Sequence, residues 1–317
     1  MGILLYDWLS FTSKIDSPDS IILFLGLENI KFTQTFGFHG YKQRYLYQGI
    51  SIHFDGFNSG VWVEMSGEGC RAFEEFATTS WEVIFHTIRE NTGTYNITRL
   101  DVAYDDKENI LDIDLLYRET DAENFTSKFQ CVKLEKEVKK KAITIYYGSQ
   151  SSRIMFRCYD KAKERQEKGK EYSGHWVRFE IQLRDERAFS FIEQIAYIDI
   201  GTLFIGIVVN YLRYIVPTND SHKSRAKTTK YWHKFVDDAK KISLYTPCDT
   251  EYNLSKAKQY VFTQPSNAID TIIKIDGVDK FLRDLRANKP RLSEKYMRLL
   301  IEHEEDVKLT EMGYEPI

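Results

Sequence analysis

Trp176-Val177-Arg178-Phe179-Glu180-Ile181-Gln182-Leu183-Arg184 is the stretch that decides the fold. Successive side chains of a strand point to opposite faces. Val177, Phe179, Ile181 and Leu183 therefore form one wholly apolar face, and Trp176, Arg178, Glu180, Gln182 and Arg184 form the other. One apolar face and one charged face is the habit of an antiparallel sheet, since parallel sheets are covered on both sides. Taken alone, the pattern fits an ordinary half-exposed strand.

Two further strands repeat it. In Arg99-Leu-Asp-Val-Ala-Tyr-Asp105, Leu100, Val102 and Tyr104 point one way, while Arg99, Asp101, Ala103 and Asp105 point the other. Aspartate is disfavoured inside strands, so Asp101 calls for a reason, and the small Ala103 beside it leaves room for a metal, water or ligand. Asp105 lies roughly 13 Å from Asp101 along an ideal strand, too far to share one metal, and is held in reserve. In Arg153-Ile-Met-Phe-Arg-Cys-Tyr-Asp-Lys161, the alternation puts Arg153, Met155, Arg157 and Tyr159 on one face. An arginine two residues before a tyrosine can pair with a phosphate that the phenol attacks. A phenol with pKa about 10 needs help as a nucleophile, from a cation, a base or a metal, and Lys161 follows closely. Asp7 alternates with Leu5, Leu9 and Phe11, so it needs a buried partner: a hydrogen-bond donor, a base or a metal.

Working outward, Ile3–Ser13 reads as a strand, Tyr45–Phe54 and Val61–Ser66 as a hairpin, and Cys70–Asn91 as one amphipathic helix. Residues 105–141 are charged and poorly patterned. Ala142–Tyr147 is another strand, and the chain beyond Ala188 is mostly helical, including Thr229–Ile242, Ala268–Ala287 and Ser293–Val307. The expected fold is α+β: a central, mainly antiparallel sheet with helices packed on one face, followed by a helical C-terminal region. Pro217 divides residues 1–217 from 218–317.

Composition excludes several classes. The net charge of −3 is not that of a general nucleic-acid binder, so any DNA affinity must be local. Basic stretches run over 136–141 and 221–241, and a charge run is more often a solvated face than a binding surface. The cysteines at 70, 131, 158 and 248 show no paired spacing, which argues against a zinc site or a disulfide framework. The most apolar stretch, 198–216, contains Asp199, Asn210 and Arg213 and falls short of a membrane span. A cytoplasmic protein is expected. Gly67-Glu-Gly-Cys-Arg-Ala72 imitates a dinucleotide-binding turn, but its strand belongs to a hairpin, and a tight strand-to-helix turn is the simpler reading. There is no Walker phosphate loop and no His-x-His pair.

An ordered set of motifs then resembles the Rep_trans family of rolling-circle replication initiators. These are Asp7-Trp-Leu-Ser-Phe-Thr12, Glu64-Met-Ser-Gly-Glu-Gly-Cys70, Arg99-Leu-Asp-Val-Ala-Tyr-Asp105, Tyr147-Gly-Ser149, Arg157-Cys-Tyr-Asp-Lys-Ala-Lys-Glu164, Trp176-Val-Arg-Phe-Glu-Ile-Gln-Leu183 and Lys230-Tyr-Trp-His-Lys-Phe235. The resemblance implies that Tyr159 attacks a phosphodiester at a DNA origin, leaving a 5′-phosphotyrosine and a 3′-hydroxyl for a polymerase. It also implies a divalent metal, Mg²⁺ or Mn²⁺, on Asp101 and Glu180; Asp7 and Asp105 are further metal-ligand candidates from their strand positions alone. Residues 1–217 would then be the nicking and strand-transfer domain. Arg157, Lys161 and Arg178 are phosphate-contact candidates from their positions, and Arg184 lies on the same face. Lys223, Arg225, Lys227, Lys230 and Lys234 would carry origin affinity. The resemblance further implies DNA as partner, both origin duplex and single-stranded nick site, with a homodimer, a host helicase and a polymerase, and no membrane. The competing reading is a non-catalytic origin- or operator-binding protein of the same fold.

Overall fold

The alternation of Val177–Arg184 is realised as an inner strand of a ten-stranded sheet in the computed structural model, which describes residues 2–56, 60–137, 142–167, 169, 172–218, 222–239 and 266–287. In chain order the strands are β1 (Ile3–Ser13), β2 (Thr33–Phe36), β3 (Tyr41–Tyr47), β4 (Ile50–Gly56), β5 (Val61–Met65), β6 (Tyr95–Asp106), β7 (Phe125–Ser127), β8 (Val132–Glu137), β9 (Ala142–Tyr147), β10 (Ile154–Asp160), β11 (Val177–Arg184) and β12 (Leu212–Tyr214). The sheet runs β2-β3-β4-β5-β1-β6-β11-β10-β9-β8, with every neighbouring pair antiparallel. β7 and β12 form a separate ribbon.

The helices are α1 (Pro18–Phe24), α2 (Gly67–Phe76), α3 (Trp81–Glu90), α4 (Ile113–Asp121), α5 (Lys161–Glu167), α6 (Glu186–Gln194), α7 (Ile200–Tyr211), α8 (Lys230–Ala239), α9 (Ser266–Asp276) and α10 (Val278–Ala287). The apolar sheet face, including Leu100, Val102, Tyr104, Phe156, Phe179 and Ile181, is buried in one core with side chains of α2, α3, α4, α6, α7 and α8. The expected α+β architecture is the one observed.

Four local readings need correction. Tyr45–Phe54 is not one strand: Gln48 and Gly49 take positive φ (37° and 79°) and turn β3 into β4. Two-residue turns of this kind need φ > 0, which glycine supplies without strain. Cys70–Asn91 is two helices, because Ala77 leaves helical geometry and Ser80 begins α3. The charged stretch after β6 holds α4, β7 and β8, while residues 138–141 and the expected helix Ser293–Val307 lie outside the described residues. The expected helix Ala268–Ala287 is α9 and α10, broken at Gly277 with φ 81°.

The chain divides into compact units at Met1–Thr246 and Pro247–Ile317, so the break is later than Pro217. The reason is α8. Its Trp232 and Phe235 are 1% and 0% exposed and pack on Phe179, and Phe235 also meets Tyr104. Two large aromatics buried beneath β6 and β11 tie residues 230–239 to the first unit.

Candidate active site

The polar face of β6, β10 and β11 is where the structure departs from an ordinary half-exposed sheet. Arg178, Glu180 and Gln182 are 4%, 2% and 5% exposed, and Asp101 and Asp105 are each 2%. Charges this deeply placed must be paired. Pairing register shows how they meet: Arg178 lies opposite Asp105 and Tyr159, Glu180 opposite Ala103 and Arg157, and Gln182 opposite Asp101 and Met155.

Three arginines organise the face. Arg178 forms a fork with Asp105 (Nε to Oδ1 2.6 Å, Nη2 to Oδ2 2.7 Å), and its Nη1 lies 2.5 Å from Asp7 Oδ1. Arg157 donates through Nη2 to both oxygens of Glu180, at 3.1 and 2.9 Å. Arg99 donates to Asp101 through Nε at 2.9 Å and Nη2 at 2.5 Å, with its guanidinium over the Trp8 ring. Bidentate arginine–carboxylate pairs are strong and directional, so these carboxylates are fixed in place.

Asp7 reaches this face through a bulge. Tyr6 pairs with Val102 and Trp8 with Asp101, so Asp7 is an extra residue in β1. Leu5 and Leu9 consequently point to opposite faces, since they pair with Ala103 and Leu100. The expectation that Asp7 shares a face with both is corrected. Bulges commonly re-aim a side chain beside a site. The neighbouring turn accommodates it: a Cβ on Gly67 would sit 2.6 Å from Asp7 Oδ1. The glycine motif is thus a close-approach turn into α2, capped by Ser66, as the simpler reading held. Burial alone would raise the Asp7 pKa, but Arg178, Lys161 and Arg71 hold it below the usual carboxylate value.

Tyr159 is 5% exposed, with the Arg157 guanidinium 4.5 Å and the Lys161 ammonium 5.5 Å from its ring centre. Lys161 Nζ donates to the phenol oxygen at 3.4 Å and also pairs with Glu164 at 2.5 Å. Burial pushes the phenol well above its ordinary pKa; Arg178 and Arg157 pull it down, while Glu180 and Asp7 oppose them. Lys161 is lowered, first by burial and then by Arg178. A pocket of about 200 Å³ adjoins the ring, lined by Thr144, Arg157 and Asp160 and rimmed by Glu135, Glu164 and Glu167. Such a rim repels anions, whereas Arg157 and Lys161 beside the ring attract them.

Asp101 is the most perturbed carboxylate of the face. Burial is the largest cause, the Arg99 hydrogen bond opposes it, and Glu180 adds like-charge repulsion, leaving its pKa pushed up to about 7. Among the described residues, no three His, Cys, Asp or Glu side chains are arranged to hold a metal. The four carboxylates are therefore two groups. Asp7 and Asp105 share Arg178, whereas Asp101 and Glu180 are diagonal neighbours across β6 and β11. One or two carboxylates completed by waters and phosphate oxygens is the usual Mg²⁺ arrangement, which the donor chemistry of Asp101 and Glu180 fits.

Arg184 sits at the end of β11, beside a groove that it shares with Arg99. Lys223, Arg225, Lys227, Lys230 and Lys234 are spread over the surface beyond β12, none of them buried. Lys223 is engaged with Glu123, and the 224–228 segment is held by Arg213, which donates to the carbonyls of Ser224 and Ala226. Of the tyrosines nearest Tyr159 in sequence, Tyr147 is in the core, bonded to Thr120 and Tyr214. Glu64, on β5 opposite Ser10, lines the groove with Arg99, and burial raises its pKa. The motif that contains Glu64 assigns it no role; its place as a polar residue between Val63 and Met65 is the signal that marks it.

Residues 95–285 match the replication initiation factor family, a span that contains Asp101, Tyr159 and Glu180. The chain belongs to this family. Residues 4–88 match the N-terminal domain of rolling-circle replication initiation proteins, so the β1 bulge and the Gly67 turn lie within a recognised module. The initiator fold is matched by the rolling-circle replication initiator protein of Geobacillus stearothermophilus, with TM-score 0.69, 29% identity, and coverage of 77% of this chain and 99% of that one. The "Putative DNA relaxase NicK" of Bacillus subtilis (strain 168) is 26% identical over 287 residues, covering 85% of this chain and 80% of that protein. Among the described residues of this initiator-family chain, no helix is long and apolar enough to cross a membrane.

Proposed function

We propose that this rolling-circle initiator nicks one DNA strand at an origin by transesterification through Tyr159. The observation that carries the reading is the position of the Tyr159 phenol: buried between Arg157 and Lys161, on the strand beside Arg178 and Glu180. The phenol oxygen bonds to phosphorus as the bond to the 3′-side oxygen breaks. The products are a 5′-phosphotyrosine and a strand ending in a free 3′-hydroxyl.

The side chains divide the work. The Lys161 ammonium donates to the phenol oxygen and stabilises the phenolate; the phenol proton passes to solvent, and the departing 3′-oxygen takes one up. Arg157, held on Glu180 and lying over the Tyr159 ring, places its positive charge beside the phosphate under attack. Arg178 keeps Asp7 and Asp105 in place and is the largest positive influence on the Tyr159 phenol. Asp101 and Glu180 are the residues that would hold Mg²⁺ or Mn²⁺, sharing their oxygens with Arg99 and Arg157. When bound, such a cation polarises the phosphate and stabilises charge developing on it.

Wild-type protein incubated with Mn²⁺ and the single-stranded origin should give a covalent band on a denaturing gel. Asp101→Asn and Glu180→Gln keep the side-chain shape and one acceptor oxygen for Arg99 and Arg157 but remove the anion, and each should slow nicking at least about 10²-fold. Duplex affinity should stay near wild type. Unimpaired cleavage by either variant at ordinary metal concentration removes that residue from the ligand pair. Absence of any wild-type adduct favours the non-catalytic DNA-binding reading instead.

Origin affinity is assigned to the cations of 223–234. Neutralising Lys227, Lys230 and Lys234 together should flatten the dependence of log affinity on log salt by about 0.9 for each phosphate they neutralise in the wild type. An unchanged slope would mean that these lysines are only a solvated face. Homodimerisation and the handover to a host helicase and polymerase belong to the same reading, since initiation and termination need separate strand transfers.

A further inference from the structure

The polar sheet face does not end at Asp101. It continues across β1 and β5 into an open groove of about 420 Å³, lined by Trp8, His39, Tyr41, Trp62, Arg99 and Arg184 among others. Nothing in the chemistry around Tyr159 uses these aromatics. Their arrangement is built: Trp62 Nε1 donates to Ser10 Oγ at 2.7 Å, and Thr98 fixes the same oxygen at 2.9 Å. One face of the Trp62 ring stacks on buried His53, with centroids 4.4 Å apart and planes 23° apart. His39 meets Trp62 edge-on at 5.3 Å, and Tyr41 lies 6.2 Å away with its plane tilted by 32°. Burial holds His53 largely neutral, with its pKa lowered to about 4, so the stack persists at ordinary pH.

Two side chains of the groove wall also carry unused donors. Trp8 Nε1 and Arg184 Nε are buried with no hydrogen-bond partner among the described residues. A buried donor left unpaired costs free energy that a ligand acceptor would recover. Half-exposed rings beside guanidinium groups, continuous with a phosphate-handling face, are the recognition pattern of unpaired nucleotides. Duplex DNA keeps its base faces stacked internally and cannot use such rings.

We propose that this groove is a stacking site for an unpaired base of the single strand being nicked, with Trp62 and Tyr41 as platforms and Arg184 contacting the backbone. This deepens the nicking reading and rests on it. In sheet order β5 is four strands from β10, a span of about 19 Å at ~4.8 Å per strand. That equals some five or six nucleotides at about 3.4 Å each if stacked, and fewer if extended. The groove therefore grips the strand several nucleotides from the scissile phosphate and requires the DNA to be melted there.

The test uses the full chain and a fluorescein-labelled strand of about 16 nucleotides, single or annealed, read by anisotropy. Trp62→Leu and Tyr41→Leu should each weaken single-strand binding roughly 5- to 150-fold, the range for losing one base stack. Duplex binding and the single-strand salt slope should be unchanged, and Trp62→Phe should stay near wild type. Tyr41→Leu, on a different strand, keeps the test decisive where Trp62→Leu is poorly folded. Unchanged single-strand affinity, an equal loss on duplex, or a Trp62→Phe defect as large as Trp62→Leu overturns the proposal. Adduct formation is scored separately. Normal nicking with unaffected groove variants sinks only the groove, whereas selective groove losses without any adduct leave a single-strand site and sink the nicking reading.

Discussion

Tyr159→Phe is expected to yield a folded protein that binds DNA and forms no covalent adduct. The expected loss of nicking is on the order of 10⁴-fold or more, the scale associated with deleting a covalent nucleophile. The folded state should barely register the change. The Arg157 and Lys161 groups lie against the ring, which phenylalanine retains, and the phenol oxygen receives one long hydrogen bond from Lys161 at 3.4 Å. Losing such a bond costs about 1 kcal/mol at most. Tyr146→Phe, on the same sheet face opposite Arg157, is the informative control and should keep forming adduct. Tyr147→Phe should destabilise the core through its bonds to Thr120 and Tyr214 while leaving adduct per folded molecule unchanged. An adduct that survives in Tyr159→Phe moves the nucleophile elsewhere, whatever the other variants do.

That prediction rests on what the strands make legible. Leu100, Val102 and Tyr104, like Phe179, Ile181 and Leu183, alternate without interruption, so period two alone separates core from chemistry on β6 and β11. Tyr159 and Arg157 are legible in the same way. Their partners are not. Arg99 meets Asp101 two residues along its own strand, but Arg178 meets Asp7 from 171 positions away in sequence through a bulge that shifts the period by one. A strand pattern carries no sign of where a bulge falls, so alternation alone puts Asp7 on the wrong face. The turn at Gln48-Gly49 is hidden for a related reason: β3 and β4 are both aromatic and apolar enough to read as one run. The groove aromatics sit on three different strands or their approaches, so their convergence is a property of sheet order alone.

Arg178→Met should be the most damaging single change to the fold of this face. The guanidinium is 4% exposed and satisfies both oxygens of Asp105 and one of Asp7, so its removal strips Asp105 of the cation paired with it and leaves Asp7 to the weaker influence of Lys161 and Arg71. Breaking a buried ion pair from one side typically costs about 3–5 kcal/mol, and chemical denaturation should show a midpoint lowered accordingly. Arg178→Lys should recover little of this. An ammonium is a point donor, and it cannot reproduce the fork on Asp105 while also reaching Asp7. The triple change Arg178→Met, Asp105→Asn, Asp7→Asn should regain most of the lost stability, because the cost lies in the unpaired anions rather than in the absence of the arginine. The same triple variant should still nick poorly. Arg178 is the foremost positive influence on the Tyr159 phenol, and no substitution at the carboxylates restores it. Recovery of stability without recovery of nicking separates the two duties of Arg178. A single Arg178→Met variant that unfolds at the wild-type denaturant concentration would show that Asp7 and Asp105 are not held by it at all.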